Sequence, residues 1–182
     1  MIPPTASSAI PRRSGALMMV SIVVMLAGCA PTPEPTPTPT AAFASEEEAF
    51  AAAEETFQHY ADATNETDLT DPSSFEPVFA WLAGDALSAA RENYSQFYAA
   101  GITRSGASTF DAFTPMEYSD GTVTALVCLD ISEVTLSNAD GTSAVPPDRP
   151  PRQAIEVFYV SAETATRLAI SSTTPTESIQ CE

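Results

Sequence analysis

Residues Thr122–Ser132 read TVTALVCLDIS, in which one set of alternate positions is entirely apolar. Successive side chains of a strand point to opposite faces, so this period of two predicts a β-strand with one face packed inward. The residues assigned to the inward face are Val123, Ala125, Val127, Leu129 and Ile131. We therefore expect a strand here, with paired strands on either side of it.

Turn signals flank the predicted strand. Asp120-Gly121 is a hairpin signal that joins it to a strand within Arg104–Tyr118. Asp140-Gly141 begins a longer connection, and the prolines between residues 146 and 151 cannot donate in a sheet ladder. The two strands predicted after these prolines are Gln153–Val160 and Thr166–Ser171.

Helical patterns precede the strands. Ser45 followed by Glu46-Glu47-Glu48 is a capping-box sequence, with acids where a helix N-terminus is positive. The apolar face of this first helix comprises Phe50, Ala53, Phe57, Tyr60 and Ala61. His59, the only histidine, falls on the opposite side of that helix and is expected to face solvent.

Two shorter helices are predicted next. One spans Ser74–Leu82, with Pro77 in its first turn, and the other begins at Asp85 as its cap and ends at Gly101. The inward face of the last helix comprises Leu87, Ala90, Tyr94, Phe97 and Tyr98. Helices followed by a run of antiparallel strands predict an α+β domain over residues 44–182, with helices covering one face of about four strands.

The N-terminal segment has the pattern of a bacterial lipoprotein leader. Arg12 and Arg13 precede the apolar run Leu17–Ala27, which is too short to span a bilayer. Leu26-Ala27-Gly28-Cys29 resembles a lipobox, so we expect cleavage of residues 1–28 and acylation of Cys29, palmitate included. An unmodified secreted protein and an uncleaved anchor are the alternatives.

Residues 29–43 are predicted to form a tether. Five of these residues are prolines, which favour an extended polyproline II chain. The domain would then stand off the outer face of the cytoplasmic membrane, held there by membrane lipid through Cys29. The abundance of alanine and threonine and the absence of lysine suggest an actinobacterial source.

The charge of the chain limits its partners. It has 24 acidic and 7 basic residues and a formal net charge of −17. Nucleic acid is excluded as an expected partner, because phosphate neutralisation requires basic residues. The sequence contains no phosphate-binding glycine loop and no Cys/His metal spacing, so neither a cofactor nor a metal is expected.

The segment VCLDISEVTLSNADGTSAVPPDRP, Val127 to Pro150, resembles the central strand, turn and Asp-Arg loop of small actinobacterial lipoproteins with a nuclear-transport-factor-two-like fold. The resemblance covers about residues 43–182 and implies a curved sheet closed by helices into a cone. Cysteines in the central strand and at the extreme C-terminus recur in that family and match Cys128 and Cys181. Proteins with this fold commonly form homodimers through the exposed sheet face, so the resemblance also makes a homodimer a candidate assembly for this chain.

The number of cysteines is consistent with a disulfide between Cys128 and Cys181. If Cys29 carries lipid, Cys128 and Cys181 remain, and a disulfide is the expected state of an exported domain. The alternative is a pair of buried free thiols.

The cone implied by the resemblance would hold any ligand or catalytic group. Tyr94, Tyr98 and Tyr118 are candidate pocket residues, and Asp130 is a weak catalytic candidate whose pKa burial would raise. The alternative for Asp130 is an ion pair with Arg149 or Arg152. Tyrosines at helical spacing are also common core residues.

These observations favour a membrane-anchored, extracytoplasmic lipoprotein. Its domain is predicted to be a noncatalytic binding or accessory module for an envelope protein or a small apolar ligand. The alternatives are an isomerase- or dehydratase-type enzyme that uses Asp130, and a purely structural envelope lipoprotein.

Overall fold

The computed structural model describes residues 42–181 of the 182-residue chain. The predicted signal peptide, Cys29 and tether residues 29–41 lie outside the described residues. Within residues 42–181, no helix combines the length and apolar character that crossing a membrane requires. Phe43, the last residue of the predicted tether, is 3% exposed and packs in the core. Core packing in the described chain therefore begins before the predicted domain, at Ala42 and Phe43.

Three helices come first in this part of the chain. Their bounds are Glu46–Glu66 for α1, Glu76–Phe79 for α2 and Gly84–Ala100 for α3. Ser45 caps α1 as predicted, because its hydroxyl accepts a 3.1 Å hydrogen bond from the Glu48 amide. Gly101 ends α3 in the left-handed conformation, with φ of 66°, which glycine adopts without strain.

Six strands follow within the described residues. Their bounds are Thr103–Ser105 for β1, Thr109–Ser119 for β2, Thr122–Asp130 for β3, Thr135–Ser137 for β4, Arg152–Ser161 for β5 and Leu168–Pro175 for β6. The four long strands form one antiparallel sheet in the order β2-β3-β5-β6, and β1 pairs with β4. The segment TVTALVCLDIS therefore supplies a central strand, as its alternation predicts.

The sheet is curved. The register shifts twice between β2 and β3, between Asp111 and Thr114 and again between Pro115 and Glu117. It shifts once more between β5 and β6, at Phe158 and Tyr159. Such bulges bend a strand and increase its twist. The predicted α+β class, with N-terminal helices on a curved antiparallel sheet of four strands, is confirmed.

The core lies between α1 and the inward face of the sheet. Ala49 and Ala53 of α1 are fully buried, so the helix backbone approaches the sheet closely. Phe57 is 1% exposed and meets the ring of Phe110 edge-on, with centroids 4.8 Å apart. Val123, Ala125 and Val127 of β3 are buried in the same cluster, as their alternation predicts.

Both outer strands of the sheet have protected edges. The backbone beside α2 pairs with the free edge of β6: the Ala83 amide donates to the Ile170 carbonyl at 2.8 Å, and the Ile170 amide donates to the Trp81 carbonyl at 2.9 Å. At the opposite edge, β2 carries both bulges and Pro115, which has no amide hydrogen.

Two details of the predicted helices are wrong. The helix predicted over Ser74–Leu82 is a 3-10 turn, Pro72–Ser74, followed by α2. It ends early because the backbone of residues 81–83 pairs with β6 instead of continuing a helix. The last helix begins at Gly84, so Asp85 lies in its first turn and is not its cap.

Tyr159 carries a buried hydroxyl without a partner. The residue is 0% exposed in the core, and its hydroxyl forms no hydrogen bond with the described residues. Leaving such a group unsatisfied costs about 1–3 kcal/mol. We therefore expect Tyr159→Phe to raise the free energy of unfolding by about 1 kcal/mol, measured by urea denaturation. Destabilisation by Tyr159→Phe would instead show that the hydroxyl has a bound partner, such as an internal water.

Candidate functional site

Asp130, the predicted catalytic candidate, is part of an ion-pair network on the outward face of the sheet. It lies at the end of β3, directly opposite Arg152 on β5. Arg152 Nη1 donates to Asp130 Oδ2 at 3.0 Å, and its Nη2 donates to both carboxylate oxygens of Asp111 at 2.7 and 2.9 Å. The Ser132 amide donates to Asp130 Oδ1 at 2.9 Å. Of the two arginines predicted as partners, Arg152 therefore forms the pair.

These contacts keep Asp130 ionised. The hydrogen bond from the Ser132 amide, supported by Arg152, lowers the pKa of the Asp130 carboxyl below its usual value. The direction is opposite to the raised pKa expected of a buried catalytic acid. Arg149, the other predicted partner, instead donates to the carbonyl oxygens of Ile131 and Val134 at 3.1 and 2.7 Å.

The lowered pKa predicts a pH dependence of stability. A depressed carboxyl pKa contributes stability that is fully present above the unfolded value of 3.8 and is lost as the pH falls through the folded value. We expect Asp130→Asn to destabilise the protein at pH 7 and to approach the wild type in stability at about pH 2, by denaturant titration at each pH. Asp148→Asn, at an exposed carboxylate, is the control and should change little at either pH. An Asp130→Asn penalty that is equal at both values contradicts the prediction.

The three predicted pocket tyrosines occupy different environments. Tyr94 packs edge-on against Phe75 and Phe79, with centroids 5.0 and 5.7 Å away. Tyr118 meets Phe43 at 6.0 Å, and Tyr98 is 49% exposed. Tyr98 therefore does not join the inward face of α3, whereas Tyr94 does.

A cleft that the sequence did not predict opens beside Tyr60, and Tyr94, Tyr98 and Tyr118 are not among the residues that line it. We call it the Tyr–Arg cleft, and its volume is about 170 Å³. It is lined by Tyr60, Ala61, Thr64, Arg104, Ser108, Leu129, Ile131 and Val134. Its wall is mainly apolar, and its polar groups come from the last turns of α1, from β1 and from the loop before β2.

Arg104 is fixed at the polar end of this cleft. Its Nη1 donates to the Thr64 carbonyl at 3.0 Å, and its Nη2 donates to Asn65 Oδ1 at 2.9 Å. The same Asn65 oxygen accepts from the Ser108 amide and hydroxyl, at 2.9 and 3.0 Å. Asn65 Nδ2 returns a 2.8 Å bond to the Ser108 carbonyl. Asn65 thus joins the end of α1 to both sides of the cleft.

Two tyrosine hydroxyls lie near the Arg104 guanidinium. Burial raises the pKa of Tyr60 and of Tyr94, so both hydroxyls stay protonated at neutral pH. The Thr64 hydroxyl lies close to both of them, yet it is buried and has no hydrogen-bond partner with good geometry among the described residues. The cleft therefore has an apolar wall and, at one end, a cation beside neutral hydroxyls.

His59 lies outside this cleft. It is 42% exposed and stacks on Trp81, with ring centroids 4.7 Å apart and planes inclined by 14°. The predicted position on the solvent side of α1 agrees with its exposure, but the stacking partner is separated by 22 residues in sequence and was not predicted. Within residues 42–181, no three His, Cys, Asp or Glu side chains are grouped to hold a metal ion.

The C-terminal cysteine is joined to the sheet. Cys128 of β3 and Cys181 form a disulfide across 53 residues of sequence. Cys128 is 1% exposed and points to the same outward face as Asp130. The bond therefore holds the end of the described chain against the outer face of the sheet.

The chain has no match among protein-family models or curated protein sequences. Its backbone is similar to that of ActVI-ORFA from Streptomyces coelicolor, with 17% identity, a TM-score of 0.43 and coverage of 72% of this chain and 97% of that one. Aln2 from another Streptomyces strain has 17% identity and a TM-score of 0.43, and the match covers 72% of this chain and 91% of Aln2. The intermembrane space region of the chloroplast protein ARC6 has 12% identity and a TM-score of 0.47, and the match covers 69% of this chain and 94% of that region. Likeness at this level concerns backbone shape and carries nothing about ligand, reaction or partner.

Proposed function

We propose that the chain is a lipid-anchored protein on the outer face of the cytoplasmic membrane, and that its domain binds a small apolar ligand without transforming it. The sequence Leu26-Ala27-Gly28-Cys29 and the proline-rich residues that follow support the anchor. The observation that carries the binding role is the Tyr–Arg cleft, since ligand sites combine apolar walls with a few convergent polar groups.

The environment of Asp130 argues for binding over catalysis. A general acid or base at neutral pH needs a pKa near the working pH. Asp130 has a lowered pKa and is paired with Arg152, and it lies on the sheet face opposite the helices. These contacts stabilise a permanent carboxylate, which is what a structural ion pair requires.

The anchor is tested by Cys29→Ser. Two or more acyl chains hold a protein stably on a membrane, at about 0.8 kcal/mol per buried methylene. We expect the wild type in the membrane pellet and Cys29→Ser in the supernatant, by fractionation and immunoblotting. Cys181→Ser is the control for loss of a cysteine as such and should stay in the pellet. Retention of Cys29→Ser in the pellet contradicts the lipid anchor and favours an uncleaved helix.

The binding role is tested by filling the cleft. Ile131 is half-buried in the wall, so Ile131→Trp should occupy the space of a ligand. Met116→Trp, at a side chain that is 54% exposed, adds the same ring elsewhere. Native mass spectrometry of the full chain isolated from its own membranes should detect a bound small molecule in the wild type and in Met116→Trp, but not in Ile131→Trp. A folded wild type without a bound molecule contradicts the proposal.

A further inference from the structure

We propose that the Tyr–Arg cleft selects a small monocarboxylate, with the carboxylate at Arg104 and a compact apolar group against Leu129, Ile131 and Val134. This inference rests on the proposed binding function and adds one ionised carboxylate to the small apolar ligand proposed there. It follows from the charge, the donors and the size of the cleft.

The charge of Arg104 has no acidic partner among the described residues. The arginine ion pairs within residues 42–181 involve Arg152 and Arg167 only. Both groups that Arg104 binds, the Thr64 carbonyl and the Asn65 amide oxygen, are uncharged. A guanidinium has five N–H donors in a fork that matches a carboxylate, and these two bonds leave donors unused. An anionic ligand would supply the missing counter-charge.

The other polar groups near Arg104 in the cleft also favour a ligand that accepts hydrogen bonds. The phenol of Tyr60, which lines the cleft, remains an O–H donor at neutral pH because burial raises its pKa. The Thr64 hydroxyl is buried beside the phenols of Tyr60 and Tyr94 without a well-aligned partner among the described residues, and Thr64 lines the same cleft. An ionised carboxylate only accepts hydrogen bonds, and such charge-assisted bonds are about twice as strong as neutral ones. An ammonium ligand would meet the guanidinium instead and be repelled.

The size of the cleft restricts the apolar part of the ligand. A dry cavity of about 150 Å³ is large enough for benzene, and this cleft has about 170 Å³. Leu129, Ile131 and Val134 have no polar side-chain atoms and form an apolar part of the cleft wall. One aromatic ring or a short branched chain therefore fits, whereas a long acyl chain does not.

The test compares acids with their uncharged amides in the full chain. The pairs are benzoate with benzamide and isovalerate with isovaleramide, titrated by isothermal calorimetry at pH 7. We expect each acid to bind at least about tenfold more tightly than its amide, a difference of about 1.4 kcal/mol. In Arg104→Gln the acid and the amide should bind equally, whereas Arg91→Gln, at an exposed arginine on α3, should keep the preference. Because Arg104→Gln also removes two structural hydrogen bonds, Arg104→Lys is measured beside it and should keep part of the preference for acids.

The outcomes separate this inference from the proposed function. If acids and amides bind equally to the wild type, the carboxylate class is wrong and the binding cleft remains. If the acids keep their advantage in folded Arg104→Gln, Arg104 is not the recognition group and the inference is wrong. If neither acids nor amides bind to the folded wild type at millimolar concentration, the proposed binding function of this cleft is wrong as well.

Discussion

Replacing Cys181 with serine is expected to lower the free energy of unfolding by about 4 kcal/mol, because a cross-link across 53 residues restricts the unfolded chain. Cys181 is the better position to change, since Cys128 is 1% exposed and a serine there would also bury a hydroxyl. Cys128 can remain as a buried thiol, which behaves as a small apolar side chain. Chemical denaturation monitored by circular dichroism measures the difference.

Two controls make this expectation specific. Cys29→Ser removes a cysteine outside the disulfide and should leave the stability of the domain unchanged. Reduction of the wild type should reproduce the loss seen in Cys181→Ser, and reduction of Cys181→Ser should add nothing. If the oxidised wild type and Cys181→Ser unfold at the same denaturant concentration, the disulfide does not stabilise the fold.

Gly106→Ala is expected to destabilise the protein by about 3 kcal/mol or more, through backbone strain and a steric clash. Gly106 lies between β1 and β2 with φ of 76°, where a side chain is strained. A Cβ at this position would lie 1.8 Å from the Glu133 carbonyl oxygen and 2.6 Å from its carbon. Because both are backbone atoms, no side-chain rotation relieves the clash, and the loop beside the Tyr–Arg cleft must move.

Gly141→Ala provides the matched control for Gly106→Ala. Gly141 has a similar φ of 84°, but nothing among the described residues lies within 4 Å of its Cβ position. Its substitution should lower stability by about 1–2 kcal/mol, the usual penalty of the left-handed conformation. The difference between the two variants, measured by thermal and urea denaturation, isolates the clash. Equal effects would mean that the Gly106 loop relaxes freely.

The sequence predicted the class of the fold because its strongest signals are local. The alternation in β3 and the cap at Ser45 each depend on neighbours a few residues away, and both are confirmed. The predictions of Asp85 as a helix cap and of a helix over Ser74–Leu82 are wrong, because contacts with β6 decide the local structure there. The prediction that Tyr98 faces inward is wrong, because Tyr98 falls at the edge of the helical face. At such an edge a 100° step per residue does not separate buried from exposed positions.

The candidate site was only partly predictable for the same reason. The helical spacing of Tyr94 predicts its inward position, but its proximity to Arg104 brings α3 and β1 together and does not follow from spacing. Arg104 meets Thr64 across 40 residues and Asn65 across 39. No spacing rule in a single sequence joins such distant positions, so the cleft can be identified only from the folded structure.

The protected edges of the sheet have a consequence for behaviour at high concentration. A second copy of the chain can extend a sheet only where a strand offers an unpaired, regular row of amides and carbonyls. At β6 the backbone from Trp81 to Ala83 already takes up part of that row, and at β2 the bulges and Pro115 interrupt it. Native molecules at high concentration should therefore add poorly to one another at these two edges, because the backbone itself, and not only the negative surface, limits strand addition.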